Sequence, residues 1–229
     1  MLRQQIPIQQ FIANLPLFKG YAEADLEPIA AGATRVHAQR GTVIFRRGEA
    51  CNGMHVVLFG QLKLALHAMQ GGERVIDLMG PGQTLGEAAL FLDQPYIATA
   101  EALADTELVH ICKATVLAEA DRHPGFARRV MVNLSRRLYR RISDLESYTL
   151  CSATDRVVGY LLNDLPESKE QDKASLTLPA AKGVIASRLN LTHEHFSRIL
   201  RDLTTAGLIE MDGRSISIPH VGGLRARMA

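Results

Sequence analysis

The chain has 229 residues, 47% of them hydrophobic and 22% charged, with a net charge of +2 and a mean hydropathy of +0.01; this is the profile of a globular protein with room for two modest domains. No apolar run approaches the roughly 18 residues of a membrane span, and the glutamines and asparagine of MLRQQIPIQQFIANLPLF interrupt the core that a signal peptide needs. The expectation is a cytoplasmic protein with no membrane partner. Residues 1–112 carry 8 basic and 11 acidic side chains, residues 113–150 carry 8 and 4, and residues 151–229 carry 10 and 9, so an anionic partner is expected toward the rear of the molecule. Cys51, Cys112 and Cys151 are widely spaced with no CxxC pair, which points to idle thiols rather than a zinc or redox motif. No metal ligand is identifiable from them.

In chain order, residues 7–31 read as helical with a break at Pro16. From Gly41 to Cys112, short apolar stretches alternate with glycine turns, the pattern of an antiparallel β-roll or barrel. Gln70-Gly71-Gly72-Glu73 reads as a hairpin turn and Pro81-Gly82 as a second punctuator. Residues 113–121 suit a short helix that His123-Pro124 ends, and Pro124 is placed to open the next one.

From Pro124 to about Thr149 the spacing predicts one helix about 38 Å long. Its apolar residues include Phe126, Val130, Leu134, Leu138, Ile142 and Leu145, while paired arginines fill much of the remaining surface. A helix with one such stripe needs a partner, and a parallel copy of itself along Val130, Leu134, Leu138, Ile142 and Leu145 is the simplest. The other reading is a helix packed on its own β-domain.

Ser152 to Asp155 forms a near capping box opening the helix DRVVGYLLNDL, and PESKEQDKAS at 166–175 reads as an exposed connection before a short strand at LTLP. Residues 180–206 then divide into a short helix to about Ser187, a tight turn, and a helix from about Thr192, the spacing of a helix-turn-helix. Thr192 supplies the capping oxygen. Glu194, Ser197 and Arg198 stand at i, i+3 and i+4, on one face. A carboxylate accepts from cytosine N4 and a guanidinium grips guanine O6 and N7, so both could read one G·C pair of double-stranded DNA. The bland alternative is an ordinary i,i+4 surface ion pair. Lys182, Arg188, Arg201 and Arg214 are candidate phosphate contacts, and His193 and His195 are accessory candidates. Gly207 ends the helix, and LIEMDGRSISI folds as a hairpin around Asp212-Gly213, making a wing.

The fold class is therefore α+β: a sensor β-roll with flanking helices at 1–123, a dimerisation helix at 124–150 and a winged helix-turn-helix at 151–229. With these residues in view, the chain from about Phe18 to Ile218 resembles the CRP/FNR family of bacterial regulators. The likeness rests on GTVIFRRGE, GQTLGEAALFLDQPYIATAEAL, SRRLYRRISDLE and LTHEHFSRILRDLTTAGLI. QPYIATAEAL and SATDRVVGYLL are similar to the nitric oxide-responsive DNR/NnrR branch in particular. The resemblance implies a cyclic-nucleotide-binding-like double-stranded β-helix in front, a homodimer, RNA polymerase as a partner and no enzymatic activity. It also implies palindromic targets of the form TTGAT-N4-ATCAA, read by Glu194, Ser197 and Arg198.

For the sensor, the resemblance implies an effector pocket at Gly86, Glu87, Leu90, Leu138, Arg141 and Ile142. Cyclic AMP is not expected: where cyclic-AMP-binding members carry an Arg-Ser pair for the phosphate, this chain has Tyr96, Ile97 and Ala98. An FNR-type iron–sulfur cluster is excluded within one subunit, because four thiolates cannot come from three cysteines. The branch implies nitric oxide sensing through haem and control of denitrification, with His37, His55, His67, His110 and His123 as candidate ligands. A non-haem organic ligand or a redox signal is the alternative effector. Two other classes fit less well. A regulatory module of an enzyme or channel would need a partner domain, and a cupin-like enzyme would need an H-x-H in its β segment, whereas His193-Glu-His195 lies on a helix where i and i+2 diverge.

Overall fold

The structure is a computed structural model and describes residues 8–68, 71–163, 165 and 172–228. Residue 7, Gln70 of the hairpin turn and residues 166–171 of the exposed connection lie outside the described residues. Contacts divide the chain into two compact units, residues 1–138 and 139–229.

In the first unit, α1 (Ile8–Ala13) is followed by a 3-10 turn at Pro16–Phe18 and α2 (Glu23–Ala31). Proline lacks the amide that would continue α1 but suits the first position of the turn. Eight strands follow: β1 (Ala33–Ala38), β2 (Val43–Phe45), β3 (Gly53–Phe59), β4 (Leu62–His67), β5 (Glu73–Met79), β6 (Thr84–Leu85), β7 (Thr99–Ala102) and β8 (Thr106–Cys112). They form two four-stranded antiparallel sheets in the orders β1-β8-β3-β6 and β2-β7-β4-β5. Helices α3 (Glu87–Leu92) and α4 (Lys113–Arg122) complete the roll.

The period-2 alternation of β3 divides two cores. Met54 and Val56 join Ile12, Phe18, Ile29, Val116 and Phe126 on the helix-covered side. Val57 joins Phe45, Leu62, Met79, Tyr96 and Leu108 between the sheets.

Helix α5 (Pro124–Leu150) runs unbroken for 27 residues. The apolar stripe read from the sequence is not one surface here, and this corrects the dimer set. Phe126 and Val130 are buried in the helix-side core of their own chain, and Leu134 packs against the same cluster. Leu138, Ile142 and Leu145 are 60 to 63% exposed, as is Met131 at 59%. The reason is geometric. Each i+4 step overshoots a full turn by about 40°, so a stripe written in i+4 steps winds from the core face to the outer face in four steps.

In the second unit, α6 (Ala153–Asn163) opens with a reciprocal cap. The Ser152 amide donates to Asp155 Oδ2 at 3.1 Å and the Asp155 amide to Ser152 Oγ at 3.2 Å. Next come β9 (Ala174–Thr177), α7 (Lys182–Arg188), α8 (His193–Thr205), β10 (Glu210–Asp212), β11 (Ser215–Ile218) and α9 (Val221–Arg225). The β10–β11 hairpin turns at Gly213, whose φ is +58°. The expected LTLP strand sits two residues earlier, at Ala174–Thr177, and pairs antiparallel with β11 as the third strand of the sheet β10-β11-β9.

Candidate functional site

The helix-turn-helix is α7, a turn through Leu189, Asn190 and Leu191, and α8. Asn190 takes φ +60°, a left-handed conformation that asparagine tolerates better than most residues. The turn is closed by Leu191 N–H donating to Ala186 O at 2.9 Å and Asn190 N–H to Ser187 O at 3.2 Å. Two residues that sequence reasoning missed brace it from outside the motif: Arg156 Nη1 donates to Leu189 O at 3.0 Å, and the Tyr148 hydroxyl donates to Arg188 O. No local pattern marks either, because their partners are backbone carbonyls 33 and 40 residues away.

Thr192 caps α8, its hydroxyl oxygen accepting from the His195 amide at 3.2 Å. Phe196, Ile199, Leu200 and Leu203 are buried, anchoring one face of the helix. On the other side Glu194 and Arg198 are exposed and Ser197 is half-buried. Among the described residues no ion pair within 4.0 Å engages Glu194 or Arg198, so the surface-pair alternative does not describe this geometry. The Glu194 carboxyl is held below the usual range first by its own backbone amide and then by the Thr192 hydroxyl. It is therefore a carboxylate, an acceptor only. His193, Arg201 and Arg214 are exposed, and His195 and Lys182 are half-buried. Arg188 is half-buried. Its Nε is shut off from solvent without a partner, and its side chain lines a cleft of about 580 Å³ with Arg156 and Tyr148.

In the first unit, Gly86 holds φ +91° at the start of α3, and a Cβ there would stand 2.9 Å from Gly53 O and 3.2 Å from the Tyr96 ring. Only glycine meets both demands. Glu87 is 1% exposed. Its Oε1 accepts from Thr84 Oγ1 at 2.8 Å and from Arg137 Nη1 at 2.6 Å, while Oε2 is buried without a partner.

The expected pocket set is corrected at Leu90. Leu90 is buried in the helix-side core rather than lining a pocket. Leu138 and Ile142 are exposed, and Arg141 pairs with Asp144 at 3.1 Å. The α5 residue that reaches Glu87 is Arg137, one turn before Arg141 and on the same helix face as Val130 and Leu134. Reading the wheel from Phe126 onward, rather than the run of paired arginines, is the signal that finds it.

Of the candidate haem ligands, His37 is exposed and His67 lies 3.4 Å from Glu73. His123 lies 3.8 Å from Glu119 and 3.9 Å from Asp25. His55 is different. It is 6% exposed, its Nδ1 has no partner, and its ring centroid lies 4.8 Å from that of His110 and 5.7 Å from that of Phe45. Burial, with the charge of His110 adding to it, pushes its pKa down to about 3. His110 is also lowered by burial, and its Nε2 lies 3.2 Å from Asn52 Oδ1. Tyr96 is stacked on Phe45 with centroids 3.8 Å apart and donates to Gly53 O at 3.4 Å. No group of three or more His, Cys, Asp or Glu able to hold a metal ion occurs among the described residues, and no described helix is long and apolar enough to cross a membrane.

Comparison with known proteins gives a consistent picture. Residues 35–123 match the cyclic nucleotide-binding domain family and residues 155–227 the Crp-like helix-turn-helix domain family. The Cyclic AMP receptor protein of Thermus thermophilus is 26% identical over 203 residues, covering 89% of this chain and 92% of that one. The crystal structure of DNR from Pseudomonas aeruginosa is 30% identical, covers 99% of both chains and superposes with a TM-score of 0.50. FixK2 from Bradyrhizobium japonicum, 22% identical with a TM-score of 0.75 over 86% of this chain and 98% of that one, shares the fold.

The His55 environment carries a pH dependence. The folded chain keeps this imidazole neutral down to about pH 3, whereas the unfolded chain protonates it near its ordinary value of 6.5. The unfolded state binds more protons across that window, so stability is present above pH 6.5 and lost as the pH falls toward 3. Urea denaturation followed by circular dichroism should show a loss of about 2 kcal/mol from this group between pH 6.5 and about pH 5. His55→Leu should flatten that limb, and an unchanged slope in the variant would remove the assignment.

Proposed function

Because this chain belongs to the CRP/FNR family of DNA-binding transcription regulators, we propose that it reads palindromic FNR-like sites, TTGAT-N4-ATCAA, as a homodimer, with Glu194, Ser197 and Arg198 addressing base edges. The observation that carries the reading is that an ionised carboxylate and a guanidinium share the exposed side of α8 with no ion-pair partner within 4.0 Å. A major groove offers what both lack, a cytosine amino donor and a guanine acceptor pair. Arg201 and Arg214 are exposed cations that suit phosphate oxygens, which position the protein without specifying sequence.

The dimer reading is supported by the outer face of α5. Met131, Leu138, Ile142 and Leu145, with Ser135 and Thr149, follow the alternating 4-3 spacing of a coiled-coil seam. An exposed apolar stripe of this period is complementary to a copy of itself. RNA polymerase is the further partner that the family implies.

For the effector, the reading is nitric oxide sensed through haem, in control of denitrification. His55 fits the ligand role on its own chemistry: a buried neutral imidazole, fixed on β3, with one nitrogen unpartnered. When bound, haem supplies an iron that takes nitric oxide. The chain's part would be to hold that nitrogen, to keep the His55 ring beside Phe45 and away from water, and to tie the roll to α5 through Glu87 and Arg137. Cyclic AMP is a poor fit, because the Tyr96 position that would need a cation holds a buried ring stacked on Phe45.

Three measurements test these readings. In a gel-shift series at fixed salt, Arg198→Ala should weaken binding to a TTGAT half-site by about 1–3 kcal/mol and relax preference at its G·C pair; equal binding by both proteins across half-site variants removes the base-reading assignment. In light scattering after size exclusion, Leu138→Glu combined with Ile142→Glu should convert a dimer to a monomer, and a persistent dimer would place the interface elsewhere. In haem titration, wild type should develop a Soret band that shifts with nitric oxide and is lost in His55→Leu. No Soret band in wild type ends the haem reading while leaving the DNA reading intact.

A further inference from the structure

Helix α5 has a third face, neither buried in the sensor core nor part of the seam. Arg128, Arg129, Val132 and Arg136 line it, and with Pro16 and Lys19 they enclose most of a groove of about 510 Å³ within the first unit. The groove is built rather than incidental. Arg129 donates to Leu17 O at 3.1 Å and to Lys19 O at 2.6 Å, drawing the segment after the 3-10 turn against the helix, and its guanidinium lies 5.8 Å from the Tyr21 ring centroid.

Four cations line this groove and no acidic residue does. Among the described residues no carboxylate lies within 4.0 Å of Lys19, Arg128, Arg129 or Arg136. The first turn of α5 also contains no acidic residue, so the positive end of a 27-residue helix adds to the same field instead of being offset. Like charges at this density repel, and a bound anion relieves them. Some cations of the same unit are neutralised: Arg35, Lys63, Lys113 and Arg122 each meet a carboxylate.

We propose that this groove binds a small molecule bearing a di- or triphosphate chain. Guanidinium forks match phosphate oxygens bidentately. Arg128 and Arg136 are separated by two helical turns, about 12 Å of rise, which favours a chain of phosphates over a single one. The volume lies within the range of small-molecule sites, and Pro16 with the 40% exposed Val132 offers apolar contact to an organic group beyond the phosphates. The proposal rests on the groove alone and does not depend on the DNA or haem readings.

Isothermal titration calorimetry of the full chain with inorganic tripolyphosphate, against orthophosphate as control, tests it. The expected result is saturable binding at one site per chain, stronger than orthophosphate and weakening as salt rises. Arg128→Gln combined with Arg136→Gln should weaken it by about 10-fold to 100-fold. Both side chains are exposed, so circular dichroism should be unchanged; Lys19→Ala is the second variant should the double substitution misfold. Arg198→Ala combined with Arg201→Ala should leave tripolyphosphate affinity intact. Absence of saturable binding in wild type, equal affinity in the groove variant, or loss in the recognition-helix variant instead overturns the proposal. So does competition by non-specific duplex DNA that disappears in the groove variant, since the groove is then a nucleic-acid surface.

Discussion

An α-helix advances 100° per residue, and in α5 that constraint distributes everything the chain does with its longest element. Phe126, Val130, Leu134 and Arg137 face the β-roll of their own chain. Met131, Leu138, Ile142 and Leu145 form an outer seam, and Arg128, Arg129 and Arg136 face a basic groove. The three faces follow from the same angular step along one helix.

Beside the apolar packing of Phe126 and Val130, the Glu87–Arg137 pair ties the roll to α5. Glu87 is almost fully enclosed, and taking a carboxylate out of water is costly unless it is paired and hydrogen-bonded. Arg137 and Thr84 supply that pairing on one oxygen and leave the other without a partner. The geometry around Gly86 admits no side chain, so the carboxylate is delivered to this place by backbone shape as much as by its own chemistry. His55 belongs to the opposite regime: a titratable group kept neutral by burial beside an aromatic ring, with Nδ1 enclosed and without a hydrogen-bond partner.

Much of the architecture was legible because it is written in short-range chemistry. Pro16 broke the first helix, Ser152 and Asp155 formed the reciprocal cap of α6, and Asp212-Gly213 turned the wing hairpin. Thr192 capped α8, which placed Glu194, Ser197 and Arg198 on the side away from Phe196, Ile199 and Leu203. Harder to read were contacts whose partners are distant. The third wing strand pairs residues about 40 positions apart, and Tyr148 and Arg156 brace the helix-turn-helix turn through carbonyls, which carry no sequence signal. The pocket assignment at Leu90 failed for a related reason: a linear motif cannot say which side of a helix faces the core.

Residue spacing by itself determined the order of elements, the helix-turn-helix and the display of its polar triad, because caps, turns and periodicity act within a few residues. Only the tertiary structure decided which part of the long apolar stripe is spent on the chain's own core, which arginine meets Glu87, and that His55 rather than another histidine is sealed from water. Those outcomes depend on burial and on the angular drift of one helix against two sheets, quantities that arise only when distant segments compete for the same space.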